Sequence, residues 1–540
     1  METLAIDLDQ SPRQPLAPSH VEELRAISRT AEFPAGATIV RAGDSIEQFI
    51  YIDEGEIEVV DARTGQRAMK YSAGPGQYMG EISFLNGGIW IFDFRAVQDT
   101  RVWLAPRQAV LDLMARIPEM SDIIVATMAG RRRRLLEEGD SALSLIGAEN
   151  DRALRRIESF IDRNRLPVSK FESGSAEARE QLSEAGLPED GSGVLFAGRA
   201  IPDPSPAVIA RMLGLDLPLS GEEIFDVVIV GGGPAGIAAA VYAGAEGLRG
   251  LVIENEVIGG QAGTSSRIEN FVGFPTGISG GDLAWRGQMQ AMRLGTRFVM
   301  PRAVCGIAKD ADCFELQLED GESVRSKAVV VATGVQYRRL PIDDLESFEG
   351  AGVYYAATDV EARYCRGKDA VIVGGGNSAG QAAMFLSRYA RHVHVMVRNE
   401  GLGGTMSSYL SSRLEQDQAI TIHPYTEVAA LHGESVLEGI SRRDTRTGEM
   451  AEIEVGGLFI MIGAAPNTTW LSDLIALNDK GFVETGVDAG GRTPYETAVP
   501  GLFAVGDVRL GSVKRVASGV GEGSVVISHV WNHVFGGVQP

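Results

Sequence analysis

Cysteine is scarce in this chain of 540 residues: there are three, Cys305, Cys313 and Cys365, and no C-x-x-C pair. Three thiols cannot build a disulfide framework, which suits a reducing compartment and excludes an internal dithiol of that spacing. Long apolar runs are missing too, since none approaches the ~20 residues of a membrane-spanning helix. The opening stretch METLAIDLDQSPRQ lacks the basic and apolar regions of a secretory signal, so a cytoplasmic location is expected. Positive charge is in deficit, with 50 Lys and Arg against 72 Asp and Glu, a net charge of −22. Such a surface repels phosphate backbones and anionic lipid, which argues against nucleic-acid and membrane partners. Glycine, by contrast, is abundant at 66 residues and has no collagen-like period. It marks turns and close backbone approaches.

The length calls for three or more domains. In the first stretch, 1–142, Ser19-His20-Val21-Glu22 has capping-box spacing and predicts the start of a short helix. Short alternating segments broken by Gly, Pro and Asp follow, the rhythm of a small antiparallel β-roll or jelly roll. Helical spacing then runs through RQAVLDLMARIPEMSDIIVATMAGRRRRLLEEG. Gly36, Gly43, Gly55 and the Gly43-Asp44 pair resemble the opening of cyclic-nucleotide-binding domains. Gly76, Gly80 and Glu81 in PGQYMGEISFL resemble that family's phosphate-binding cassette, which implies a pocket at Gly80 and Glu81. The family's arginine is missing, however, and Ile89-Trp90-Ile91-Phe92-Asp93 stands in its place. Losing a charge-assisted phosphate contact removes about 1.5–3 kcal/mol, so the expectation is a degenerate pocket and a docking role. Arg131 to Arg134, followed by Glu137, Glu138 and Asp140, read as a solvated or interdomain helix face rather than a nucleic-acid patch.

The second stretch, 143–218, has the order β-α-β-α-β-α, with GVLFAGRAI read as one strand. The pattern resembles a small glutaredoxin- or thioredoxin-like α/β domain. Active members carry a cysteine pair after the first strand; here Ala148-Glu149-Asn150-Asp151 occupies that turn, and the stretch holds no cysteine. The resemblance therefore implies a fold without its redox chemistry.

The third stretch carries the chemistry. FDVVIVGGGPAGIAAAVYAGAEGLRGLVIEN reads as strand, glycine-rich turn, helix and second strand ending in an acid. Gly231, Gly233 and Gly236 fill G-x-G-x-x-G: a tight turn, a backbone approach to pyrophosphate, and close helix–strand packing. Glu254 lies where an acid accepts from a ribose hydroxyl. A second unit, DAVIVGGGNSAGQAAMFLSRYARHVHVMVRNE, places Gly374, Gly376 and Ala379 in the same turn and ends its second strand at Arg398. An arginine there can bind a 2′-phosphate, which favours NADPH over NADH; NADH stays possible, since Arg398 stands alone between Val397 and Asn399.

With VVVATGVQYRRLPI, GLFIMIGAAPNT and PGLFAVGDVRLGSVKRVASGVGEG, this stretch resembles the low-molecular-weight thioredoxin reductase flavoproteins end to end. The resemblance implies a pair of Rossmann-like α/β domains: FAD-binding at 219–343 and 466–540, NAD(P)H-binding at 344–465. It implies FAD contacts at Gly231, Gly233, Pro234, Ala235, Gly236, Glu254, Gly260, Gln261, Asn270, Thr333, Gly334, Gly506, Asp507, Arg515, Val516 and Ala517. Gly374, Gly376, Asn377, Ser378, Ala379 and Arg398 would hold the nicotinamide dinucleotide. A homodimer is implied likewise. The family's dithiol, however, corresponds to Ala356-Ala357-Thr358-Asp359, without either sulfur. Cys365 reads as an ordinary thiol, and Asp359 is the candidate catalytic residue. His529 and His533 lack a third ligand and an intervening glutamate, so no metal site is expected. The expected activity is NADPH oxidation through FAD toward an external small-molecule or protein acceptor. The alternatives are a redox sensor with little turnover and, against the missing cysteines, a thioredoxin-disulfide reductase.

Overall fold

The computed structural model describes residues 15–536 apart from 62–64, 70–71, 81, 139–141, 148–151, 214, 218, 220, 222, 264, 266–267, 269, 311, 350, 356, 358, 403–405, 435 and 472–473. The amino-terminal part is a roll of two antiparallel sheets. One takes the order Arg29–Phe33, Thr100–Pro106, Gln48–Glu54, Tyr78–Met79; the other, Thr38–Val40, Asp93–Ala96, Ile57–Val60. Phe49, Ile50, Tyr51 and Ile52 are all buried, because this strand is covered on both faces. The first helix, Pro18–Ala26, starts at Pro18 with Ala17 as its cap and no side-chain cap bond. The capping box expected at Ser19 is therefore not used: proline at the first position presets the helical φ and moves the start upstream.

Residues 143–212 form a mixed four-stranded sheet in the order Arg199–Ala200, Gly193–Phe196, Leu143–Gly147, Ser169–Glu172. Its last two strands are parallel and its others antiparallel. Helices Arg152–Arg163, Ala176–Glu184 and Pro206–Met212 accompany it. The single strand expected over GVLFAGRAI is a hairpin, turning at Ala197 (φ 50) and Gly198 (φ 74). Two consecutive positive φ values make the tight turn that joins twisted strands, and alanine gives no sequence signal for it.

Two larger sheets follow. One runs Arg297–Val299, Gly250–Ile253, Ile224–Val230, Ser323–Val331, Phe314–Leu318, Val304–Lys309, and Leu502–Ala504 joins it beside Ser323–Val331. The other runs Ile420–His423, His392–Met396, Asp369–Val373, Met450–Ile460, Gly439–Asp444, Thr426–His432. Between them lies a neck of two short strands, Val335–Tyr337 and Ala464–Pro466, paired antiparallel. The near-continuous apolar run of Ile224–Val230 is what a parallel strand covered on both faces requires.

The stretch that replaces the cassette arginine is an internal joint. Trp90 and Phe92 belong to the roll's core, whereas Ile89 and Ile91 pack against the core of the small mixed-sheet unit. Of the arginine run on helix Pro118–Glu138, Arg132 reaches the small mixed-sheet unit, whereas Arg131 bonds within the roll. Arg132 is 5% exposed and donates to Ser83 Oγ (2.8 Å) and the Arg165 carbonyl (3.3 Å). No helix among the described residues is long and apolar enough to cross a membrane.

Candidate dinucleotide sites

Strand Ile224–Val230 delivers Gly231 into the turn at φ 107, where a Cβ would sit 2.5 Å from the Ala332 carbonyl oxygen. A Cβ on Gly236 would collide with the Gly231 carbonyl. These two glycines are demanded by the protein's own packing. Gly233 differs: it caps helix Pro234–Ala245 with ordinary dihedrals (φ −72, ψ −179), and a Cβ there would meet nothing within 4 Å. A backbone edged by open space at a helix N-terminus fits a pyrophosphate. Pro234 occupies the first helical turn, and Ala235 packs under Gly506, Gly519 and Gly523.

Around this cradle the other residues converge. Glu254 is 6% exposed and accepts from the Gly232 N–H (2.6 Å) and the Glu256 N–H (2.9 Å), so its carboxylate braces the turn. Gly260, at φ 53, comes close enough that a Cβ would lie 3.2 Å from Gly233 Cα. The Gln261 side-chain amide donates to the Val335 carbonyl at the neck. Thr333 Oγ1 donates to the Asn467 carbonyl (2.8 Å), and Asn467 Nδ2 donates back to the Thr333 carbonyl (3.1 Å). Gly334 follows at φ 62, and Asn270 lies exposed. Burial above all pushes the Asp507 carboxyl above its usual range, with Lys514 opposing and Glu522 adding. Arg515 is exposed and caps helix Val516–Phe535, whose first turn holds Val516 and Ala517.

Two residues central to this arrangement, Glu522 and Asn467, lie in the segments that carry the resemblance but are not among the contacts it implies. Glu522 accepts from the Gly506 N–H (2.7 Å), Arg509 Nη2 (2.8 Å) and Ser512 Oγ (2.8 Å), fixing the turn that carries Asp507. Its one signal is an acid inside the small, apolar run SGVGEGSVV. Asn467 pairs with Thr333 across 134 residues, which no local pattern announces.

The second cradle repeats the logic of the first. Gly374 stands at φ 147, and a Cβ there would collide with the Met461 carbonyl. Ala379 is fully buried behind it. Gly376 caps helix Asn377–Leu386, and a Cβ on it would meet nothing within 4 Å. Asn377 Oδ1 accepts from the Ser407 N–H (2.8 Å), and Ser378 is exposed. Arg398 is exposed just beyond strand His392–Met396, without an ion-pair partner among the described residues.

The sulfur positions stand apart. Ala356 and Thr358 lie outside the described residues, and Asp359 begins helix Asp359–Tyr364, described by its backbone alone. All three cysteines are free, Cys305 exposed and the others buried. Burial pushes the Cys365 thiol up to about 11, with Lys368 opposing and Glu361 adding, which favours the protonated thiol at neutral pH. His529 faces Tyr495 and His533 faces Phe503; no cluster that could hold a metal occurs among the described residues.

At the cassette, Glu81 lies outside the described residues, but Gly80 does not. A Cβ on Gly80 would meet Met128 Cε at 3.1 Å and Trp90 Cη2 at 3.9 Å, so these side chains line the glycine. Arg131 Nη1 donates to the Tyr78 (2.7 Å) and Gly80 (2.9 Å) carbonyls. Arg95 is held by Glu58 (2.8 Å) and the Gly65 carbonyl (3.1 Å). Calorimetric titration with cAMP or cGMP is expected to show no binding in the micromolar range; such binding would mean that Trp90 or Arg131 yields its place.

Residues 225–523 match the pyridine nucleotide-disulphide oxidoreductase family, more than half of the chain. The chain belongs to that family. Residues 30–117 of this oxidoreductase match the cyclic nucleotide-binding domain. It is 34% identical over 312 residues to the 34.2 kDa protein in the rubredoxin operon of Clostridium pasteurianum, covering 56% of this chain and 95% of that one. It is likewise 34% identical over 302 residues to thioredoxin reductase of Streptomyces clavuligerus, covering 56% and 91%. Among solved structures, thioredoxin reductase from Streptococcus pyogenes superposes with a TM-score of 0.52 at 29% identity, over 58% of this oxidoreductase and 99% of that chain. The thioredoxin reductase family uses FAD and NADPH.

Proposed function

We propose that this oxidoreductase passes the electrons of NADPH to an external acceptor, with FAD as its cofactor and without a dithiol of its own. The observation that carries the reading is the cysteine inventory set against two intact phosphate cradles: three free thiols, none at positions 356 and 359, where the resemblance implies a dithiol. When bound, FAD supplies the two-electron chemistry between nicotinamide and acceptor.

The chain's own residues bind and orient. The Gly233 turn and the N-terminus of helix Pro234–Ala245 take the FAD pyrophosphate, Glu254 its adenosine ribose and Asp507 its ribityl chain. Gln261, Thr333 and Gly334 would hold it on the neck side, and Arg515, Val516 and Ala517 would contact its ring. Gly376, Asn377 and Ser378 hold the pyrophosphate of NADPH, and Asp359 is the proton donor to the acceptor. The proposed domain limits are 1–142, 143–218, 219–343 with 466–540, and 344–465, in a homodimer. A sensor role is the second reading, favoured by Arg132, which ties the cassette at Ser83 to the small mixed-sheet unit.

The test is anaerobic reduction with NADPH, then reoxidation by quinones, dyes, oxygen, or thioredoxin with a disulfide reporter. Reoxidation by a small acceptor, with no thioredoxin turnover in wild type or Cys365→Ser, is expected. Thioredoxin turnover that vanishes in Cys365→Ser overturns the reading, and one reduction without reoxidation by any acceptor favours the sensor. Arg398→Ala should raise the KM for NADPH roughly tenfold and leave that for NADH unchanged, because only NADPH offers arginine a second charge. Steady-state kinetics with both cofactors check this.

A further inference from the structure

Helix Arg152–Arg163 ends in an unusual way. Leu166 N–H donates to the Ile161 carbonyl (3.0 Å) and Arg165 N–H to the Asp162 carbonyl (3.1 Å), the bonding pattern of a helix stop with its turn residue in the left-handed region. Glycine is the residue that favours this position, yet Arg165 sits there at φ 52. A residue with a Cβ in that region is uncommon, and its side chain is the place to look for a reason.

The use is visible. Arg165 Nη1 forms an ion pair with Asp282 at 2.6 Å, and its guanidinium lies over the Trp285 ring, 5.8 Å from the centroid. Both partners belong to helix Gly280–Arg293 of the flavin-side sheet unit. Asp282 lies in the first turn of that helix, and its N–H donates to the capping oxygen of Ser279 (3.0 Å). Burial works against the Asp282 charge, but Ser279 and Arg165 hold its carboxyl below the usual range. The start of this helix is also the backing of the GGQAG turn. A Cβ on Gly280 would collide with the Ala262 carbonyl, and Gly280 N–H donates to the Ser265 carbonyl (2.8 Å). That turn in turn abuts Gly233, through Gly260. Arg165, Gly281 at the helix start and Gly260 and Gly263 of the turn line one cavity, and the guanidinium lies against Gly281, where a Cβ would sit 3.3 Å from it.

We propose that Arg165 is a positioning residue for the FAD pyrophosphate cradle, so that the small mixed-sheet unit serves as a clamp on flavin binding. This rests on the assignment of FAD to the Gly233 site. The contacts form one packed path: Ser83 to Arg132, Arg132 to the Arg165 carbonyl, the Arg165 guanidinium to Asp282, and the helix start to the turn beside Gly233. An ion pair this exposed contributes little to overall stability. Its weight falls on where the helix start sits.

The left-handed backbone supplies a variant that separates the two roles. Arg165→Gly removes the clamp and places the favoured residue at the turn, so it should leave the apoprotein's melting temperature unchanged or raise it. FAD affinity, titrated by flavin fluorescence on full-length apoprotein, should fall about five- to tenfold, as for a position coupled to a site through packed elements. Asp282→Asn, with Arg165 in place, should lose affinity by a similar factor, and the double variant should lose no more than either alone. Unchanged FAD affinity in Arg165→Gly overturns the proposal, as does an additive double variant or a loss that tracks a fall in melting temperature. A wild type that takes up no FAD overturns the flavoenzyme reading itself and this inference with it, an outcome distinct from the others.

Discussion

Gly233→Val is expected to yield a folded protein without flavin colour. The three glycines of the first turn differ in what they do, and this substitution isolates one of the roles. Gly231 needs its positive φ, and Gly236 cannot carry a Cβ without striking the Gly231 carbonyl, so substitution at either damages the fold. Gly233 has dihedrals open to any L-residue and room for a Cβ. A valine there is tolerated by the protein, yet it fills the space through which backbone N–H groups reach a pyrophosphate. Circular dichroism should match wild type while absorbance near the flavin bands disappears, and reconstitution with excess FAD should fail. Retained colour would place the cofactor elsewhere.

Glu522→Gln should be nearly as damaging, through the fold. Burial works against the Glu522 charge, but Arg509, the Gly506 N–H and Ser512 hold its carboxyl below the usual range. A group with a depressed folded-state pKa contributes stability that is present above its unfolded value and lost as pH falls through the folded one. Glutamine keeps the shape and one acceptor but leaves Arg509 without its counter-charge. At pH 7 the variant should lose about 2 kcal/mol of unfolding free energy and part of its flavin. The gap between wild type and variant should begin to narrow as pH drops below about 4.3, the ordinary glutamate value at which the unfolded chain takes up its proton, and should close as pH falls through the lower folded-state value. Denaturant melts at pH 7 and pH 4 measure it, and a gap that does not change with pH would show that the charge at 522 is not what holds the turn.

Much of this site could be read from the chain because its turns are written in glycine. Gly231, Gly236 and Gly374 are dictated by contacts within a few residues or by one neighbouring strand end, and local sequence records such constraints. Asn467 meets Thr333 only after the chain has closed over 134 residues, and Glu522 reaches 10 to 16 residues back across a turn, a spacing that neither helix nor strand periodicity records. The hairpin at 197–198 was hidden for a different reason: Ala197 adopts a backbone conformation that alanine does not advertise. The arginine run shows where composition stops, because it left a solvated and an interdomain face both open. The carbonyls that receive Arg131 and Arg132, from two other segments, decide between them at these two positions.

The neck has a bearing on how the molecule is made. Tyr337 and Ala464 are register partners, so the chain leaves the flavin-side sheet and returns to it at one spot. Residues 338–463 therefore form a detour that a short turn could replace, since loop-closure entropy grows only logarithmically with length. Leu502–Ala504 and helix Val516–Phe535 are nevertheless encoded beyond the detour. Gly523, whose backbone lies against the Ala235 carbonyl, joins the first cradle only then. During synthesis the first glycine turn thus emerges nearly 300 residues before the helix that covers it. At roughly 5–20 residues per second that leaves it waiting on the order of tens of seconds. The first cradle is thus complete only once helix Val516–Phe535 has been made, and a chain stopped before Leu502 would present an open sheet edge beside Ser323–Val331 where Leu502–Ala504 should pair.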